Sequence, residues 1–153
     1  MLRISRLTDY GTLVLAHLSS DRARLTTAAE VAMATGIALP TVSKLLKLLA
    51  KADLVRSTRG AQGGYQLSRD ASRISAAEII DALEGPVTIT ECSGNDSQCD
   101  LESFCNVGSA WQRINVAIRS ALGDINLNDL QRARAPVPRF RFAGMPINVE
   151  PKD

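Results

Sequence analysis

Apolar residues recur at helical spacing near the start of the chain, and the gaps between them carry helix-ending signals. Tyr10, Leu13, Val14 and His17 at i, i+3, i+4 and i+7, with Leu18 beside them, form the stripe of an amphipathic first helix. Thr27 and Glu30 then have the spacing of a capping box, so a short second helix is predicted from Ala28 to about Thr35, where Gly36 supplies the helix-ending conformation. Pro40 suits the first turn of a third helix, in which Val42, Leu45, Leu46 and Leu49 face the core. Thr41, Lys44, Lys47 and Lys51 recur on the opposite side and leave a polar, basic stripe free. Two short helices joined by a Gly-containing turn, the second with a basic face, make a helix-turn-helix pattern.

After Leu54 the period changes. Two short runs, about Val55 to Thr58 and Gly64 to Ser68, flank a Gly-rich tip from Arg59 to Gly63, which predicts a β-hairpin in the position of a wing. Ser75 and Glu78 form a second capping box, and Gly85-Pro86 stops the helix expected over Ala76 to Glu84. A longer helix is predicted from about Ser109 to Leu122, ended by Gly123, with Trp111, Ile114, Ile118 and Leu122 on one side. Because the winged helix already has a core, that stripe is expected to pack on a second copy as a dimerisation helix, the alternative being that it folds back on its own domain. A short turn of helix is expected near Asn128. Beyond Ala135 the tail holds four of the six prolines and is expected to be loosely ordered.

The fold class that follows is mainly α with a small β-hairpin wing: a winged helix-turn-helix plus a long dimerisation helix. The expected divisions are 1–86 for DNA binding, 87–108 for a cysteine loop, 109–134 for dimerisation and 135–153 for the tail. At 153 residues the chain is of one-domain size. With no apolar run long enough to span a bilayer, a cytoplasmic protein with no membrane partner is expected.

Charge sharpens this picture. Residues 1–73 carry eleven Lys/Arg against five Asp/Glu, residues 74–131 two against nine, and residues 132–153 five against two. A basic first half joined to an acidic middle points to a polyanion partner for the first half. Thr41, Ser43, Lys44 and Lys47 are suited to base edges or phosphates in a major groove, and Arg56 and Arg59 of the wing to a minor groove. Arg3 and Arg6 add charge at the N-terminus. Double-stranded DNA is the expected partner.

All three cysteines, Cys92, Cys99 and Cys105, lie in one polar stretch, ECSGNDSQCDLESFCNV over residues 91–107. An odd number argues against a disulfide framework. Structural zinc sites usually contain a tightly spaced ligand pair, which is missing here, whereas iron-sulfur clusters accept wider loops around a bulky core. A cluster is therefore favoured over zinc, with metal-free thiol switching as a further alternative. Three thiols leave one position open. His17 sits on an apolar stripe and is read as a packing residue, while Asp96, Asp100, Glu102 and Asp9 are oxygen donors. With no Cys-x-x-Cys and no catalytic set to be built on a single histidine, the chain is expected not to be an enzyme and to have no small-molecule substrate.

RISRLTDYG at 3–11, the helix-turn-helix, LVRSTRGAQGGYQL at 54–67, ISAAEIIDALEG at 74–85 and the three cysteines ahead of the Trp111 helix together resemble the bacterial winged-helix iron-sulfur regulators of the IscR and NsrR types. The likeness runs from about Leu2 to Leu130 and is nearest to regulators of the SUF cluster-assembly system. It implies a homodimeric transcription regulator whose cluster state alters DNA binding, and repression of cluster-assembly genes is the expected output. In the IscR type a histidine shortly after the third cysteine completes a [2Fe-2S] site, and the matching position here is Gly108. In the NsrR type an aspartate given across the dimer serves a [4Fe-4S] cluster, and Asp9 occupies that place. The resemblance thus leaves the cluster type open and makes Asp9 the expected fourth donor beside the three cysteines.

Overall fold

A computed structural model describes residues 4–89 and 107–132, together with the backbone of 141–142 and 145–146. Helix α1 spans Arg6–Ser20, α2 Ala28–Thr35 and α3 Leu39–Lys51. Strands β1 (Val55–Thr58) and β2 (Gly64–Leu67) follow, then a 3-10 turn at Ala71–Arg73 and α4 (Ala76–Glu84). Helix α5 runs Gly108–Asp124, α6 Leu127–Gln131, and Arg141–Phe142 (β3) pairs antiparallel with Met145–Pro146 (β4).

Local chemistry explains most of these boundaries. The Thr27/Glu30 and Ser75/Glu78 capping boxes are both closed, and Gly36 ends α2 at φ 70°. A third box, Asn126 with Asp129, opens α6 and puts its start slightly ahead of the predicted position. Side chains from α1, α3 and α4 meet in one core, where Val14, Leu15, Val42, Leu45, Leu46, Leu49 and Ile74 have no exposed surface. Leu127 of α6, also 0 % exposed, closes it from the C-terminal side. Burial of each such side chain stabilises the fold by about 1.5–3 kcal/mol relative to exposure.

Three expectations change. In α1, Leu13 is 51 % exposed while Leu15 is buried, so the inward stripe is Gly11, Val14, Leu15 and Leu18. The shift follows from Gly11: a Cβ there would clash with Leu83 Cδ1, so α4 presses against the helix at that bare position and sets its rotation. Strand β2 ends at Leu67: Ser68 still donates its amide to the Leu54 carbonyl at 3.1 Å, but the Leu54 amide is taken by the Leu49 carbonyl at 3.0 Å, so that last pair is not closed from both sides. Gly123 does not end α5, which continues to Asp124; the chain stays helical until Ala76 N–H captures the Ile125 carbonyl at 2.8 Å. In the tail, the backbone at 141–142 and 145–146 forms the β3–β4 pair.

The wing sheet has one contributor that the hairpin pattern did not show. Thr26 exchanges two backbone hydrogen bonds with Tyr65, at 3.0 and 2.8 Å, and so lies beside β2 as a one-residue third strand. Gly64 permits this approach, since a Cβ there would meet the Thr26 backbone at 3.0 Å. The loop before the helix-turn-helix is thereby sewn to the wing.

Candidate nucleic-acid interface and thiol loop

Helix α3 presents two unlike faces because its apolar residues recur at three- and four-residue intervals. Val42, Leu45, Leu46 and Leu49 lock it into the core, leaving Lys44, Lys47 and Lys51 exposed and Thr41 and Ser43 half-buried between. Its N-terminus has Pro40 in the first turn and no side-chain cap. From its C-terminal end the chain turns through Asp53, a non-glycine residue at φ 57°, directly into β1. Arg56 is exposed on β1 opposite Gln66, and Arg59 is exposed at the tip beside Gly60, whose φ of 116° makes the turn.

Among the described residues, ion pairs join Arg22 to Asp70, Arg24 to Glu30, Arg69 to Glu78 and Arg119 to Asp81. None uses Lys44, Lys47, Lys51, Arg56 or Arg59. Helix face and wing therefore offer uncompensated positive charge on one continuous stretch of chain, the electrostatic condition for meeting a phosphate backbone. Arg6 is exposed at the start of α1, and Arg3 lies outside the described residues.

Asp9 is exposed on the first turns of α1. That helix start is held by a residue far along the chain. Glu84, the last of α4, accepts the Ser5 amide at 2.9 Å and the Thr8 hydroxyl, doing across the fold what an N3 glutamate does in a local capping box. Donation by the Thr8 hydroxyl and then by Ser5 holds the Glu84 carboxyl below its ordinary range. Asp9 follows Thr8 on this pinned helix start. Cys92, Cys99 and Cys105 themselves lie outside the described residues, as do Asp96, Asp100 and Glu102. His17 is half-buried, as its place on the stripe suggested, and Gly108 is the first residue of α5.

Helix α5 runs back antiparallel along α4. Arg119 clamps Asp81 with two hydrogen bonds of 3.0 and 2.7 Å, and Asn126 bridges Ser75. That pairing uses the C-terminal half of α5. In the other half Trp111 is 40 % exposed, and Ile114 is half-buried; Ile118 and Leu122, nearer the α4 contact, are half-buried too. Val116, which the sequence stripe omitted, is 57 % exposed. Among the described residues no single helix is long and apolar enough to cross a membrane.

Sequence reasoning missed Thr26, Arg69 and Glu84 as organising residues. For Thr26 a signal existed: a glycine inside a strand often marks the close approach of another backbone, and Gly64 is that glycine. Arg69 and Glu84 act only through partners remote in sequence, and no local pattern marks them.

Residues 4–133 match the family Rrf2, described as iron-dependent transcriptional regulator. The HTH-type transcriptional regulator IscR of Xenorhabdus nematophila is 38% identical over 102 residues, which cover 67% of this chain and 62% of that protein. The chain is thus matched to less than two thirds of that relative's length. Among solved structures, CymR, the global cysteine regulator of B. subtilis, superposes with a TM-score of 0.66 at 28% identity, covering 88% of this chain and 100% of that one. T. potens IscR gives a TM-score of 0.62 at 29% identity over 86% of this chain and 87% of its own.

Proposed function

Because the chain belongs to the Rrf2 family of winged-helix transcriptional regulators, a family of regulators and not of enzymes, we propose that it binds operator DNA as a homodimer and senses an iron-sulfur cluster. The observation that carries the DNA part is the uncompensated cationic face of α3 continuing into a wing with Arg56 and Arg59 exposed. In this reading α3 enters the major groove with Thr41, Ser43, Lys44 and Lys47, and the wing arginines lie along the flanking backbone and minor groove. The dimer would be completed by the exposed half of α5, through Trp111 with Ile114, Ile118 and Leu122 beside it. The protein is then a cytoplasmic repressor of SUF-type cluster-assembly genes.

The cluster would be held by Cys92, Cys99 and Cys105, with Asp9 from the partner subunit as fourth donor. The donor chemistry fits: thiolates are the preferred ligands of iron-sulfur clusters, and Asp9 is an exposed carboxylate on a helix start that Glu84 pins to α4. When bound, such a group supplies sensitivity to oxidants and to iron supply. The chain's own residues do the rest. Glu84 fixes the α1 start, and Arg119 ties α5 to α4, so the thiol stretch is flanked by two elements anchored to the DNA-binding core. The cluster type, [2Fe-2S] or [4Fe-4S], is a matter for measurement.

The test is anaerobic purification with iron and sulfide quantified, a visible spectrum, and DNA binding compared before and after cluster removal. Colour, equimolar iron and sulfide, and a change in DNA affinity on removal are expected. Colourless protein with stoichiometric zinc would sink the cluster assignment. A second reading, a metal-free thiol or zinc regulator of the same fold, is favoured by the superposition on a cysteine regulator, at a TM-score of 0.66 against 0.62 for T. potens IscR. It predicts DNA binding that responds to thiol oxidation with no iron present.

A further inference from the structure

The wing is a two-stranded hairpin with Thr26 paired to β2 at Tyr65 alone, and such short ribbons are marginal by themselves, so contacts at its base must set its direction. Arg69, the second residue after β2, is placed to do so. Its Nη1 donates to the Asp53 carbonyl at 3.0 Å, in the turn between α3 and β1. Its Nε donates to the Arg73 carbonyl at 3.0 Å, at the end of the 3-10 turn, and Nη2 reaches the Glu78 carboxylate on α4. One planar guanidinium therefore joins the end of the recognition helix, the exit of the wing and the start of α4. The Ser68 hydroxyl also donates to the Asp53 carbonyl, and the Ser68 amide closes on Leu54, so both wing strands are gathered at this point. Glu78 holds its second oxygen on the Ser75 amide and hydroxyl at 2.9 and 3.0 Å, which keeps the acceptor aimed. The side chain of Arg69 is 27 % exposed, the least of the arginines in these ion pairs, and the fork geometry is one a lysine cannot reproduce.

We propose that Arg69 is a positioning residue that fixes the wing relative to the recognition helix, and so sets how well Arg59 engages DNA without touching DNA itself. This rests on the DNA-binding function proposed above. Arg59 lies at the far end of the hairpin, with no contact to Arg69, and a small rotation at the base is carried to the tip as a displacement of the guanidinium. Asp53 contributes its carbonyl and not its side chain, and its left-handed backbone is one that glycine also adopts.

The experiment is a double-mutant cycle on a DNA duplex enriched from random sequence by the wild-type protein, with binding read by fluorescence anisotropy. Arg59→Ala and Arg69→Gln are each expected to weaken binding by about tenfold, and the double variant to be no weaker than Arg69→Gln alone. Asp53→Gly is expected to bind as wild type. Arg69→Lys is expected to lose as much as Arg69→Gln, since charge without the fork leaves two acceptors unserved. Circular dichroism and thermal melting accompany each variant. If Arg69→Gln does not fold, Glu78→Gln releases one arm of the fork, and a smaller loss with the same non-additivity is expected. Multiplicative losses, rescue by Arg69→Lys, wild-type affinity of Arg69→Gln, or an Arg59→Ala variant that binds normally would each overturn the role of Arg69. A wild-type protein that enriches no duplex would overturn DNA binding itself, and the proposal with it.

Discussion

The winged helix and α5 solve the burial of apolar surface in opposite ways. In the first, α1, α3 and α4 share a core in which whole leucine and valine side chains have no exposure, and α6 caps it with Leu127. In the second, a helix of 17 residues has Asn115 as its one buried residue, and Trp111 and Val116 remain exposed. The first region completes itself within the chain. The second is joined to it mainly by the polar clamp of Arg119 on Asp81 and by the backbone bridge at Ser75 and Asn126. A self-sufficient binding unit with an attached helix that keeps spare apolar surface is the arrangement on which the proposed dimer rests.

The largest effect should come from the core. Leu45→Ala removes a side chain with 0 % exposure between α1 and α3, and a loss of about 2–5 kcal/mol in urea unfolding is expected. A loss below about 1 kcal/mol would mean that the winged helix is less self-sufficient than its burial implies. Next is Gly64→Val: its Cβ would meet the Thr26 backbone at 3.0 Å, and a penalty of roughly 1–3 kcal/mol is expected, with loss of protection of the Thr26 and Tyr65 amides in hydrogen exchange.

Trp111→Ala should separate the two regions. Unfolding measured at high dilution is expected to change by less than about 1 kcal/mol, while sedimentation shows a weaker dimer. A core-sized loss of stability with unchanged self-association would reverse the assignment of α5. Arg119→Ala tests the tether. Both partners of that clamp are 30–40 % exposed, so a cost of no more than about 1 kcal/mol is expected in stability.

The smallest effect is acidic. Burial acts to raise the Glu78 carboxyl, but the Ser75 hydrogen bonds and the Arg69 charge outweigh it and leave it below its ordinary value. A group depressed in the folded state contributes stability above its unfolded value of 4.5, and that contribution is lost as pH falls through the lower folded value. Glu78→Gln is therefore expected to flatten the acid limb of the stability curve below about pH 4.5, read by thermal melting across pH. An acid limb identical to wild type would show that the clamp at Arg69 and Ser75 is not formed in solution.

What the sequence alone determined about this protein is whatever depends on residues close together in the chain. The capping boxes at Thr27 and Ser75, the stop at Gly36, the two faces of α3 and the register of a Gly-tipped hairpin are all settled within one or two helical turns or one strand pair. The charge asymmetry and the clustering of the thiols were legible for the same reason. Only the tertiary structure decided which side of α1 turns inward, because the bare Gly11 accepts Leu83 from seventy-odd positions away. It likewise decided that Thr26 joins the wing, that Glu84 caps α1, and that Arg69 gathers three elements at one guanidinium. Contacts of that kind carry no period and no spacing. They form because a closed core brings remote backbone polar groups together out of water, where each must find a partner.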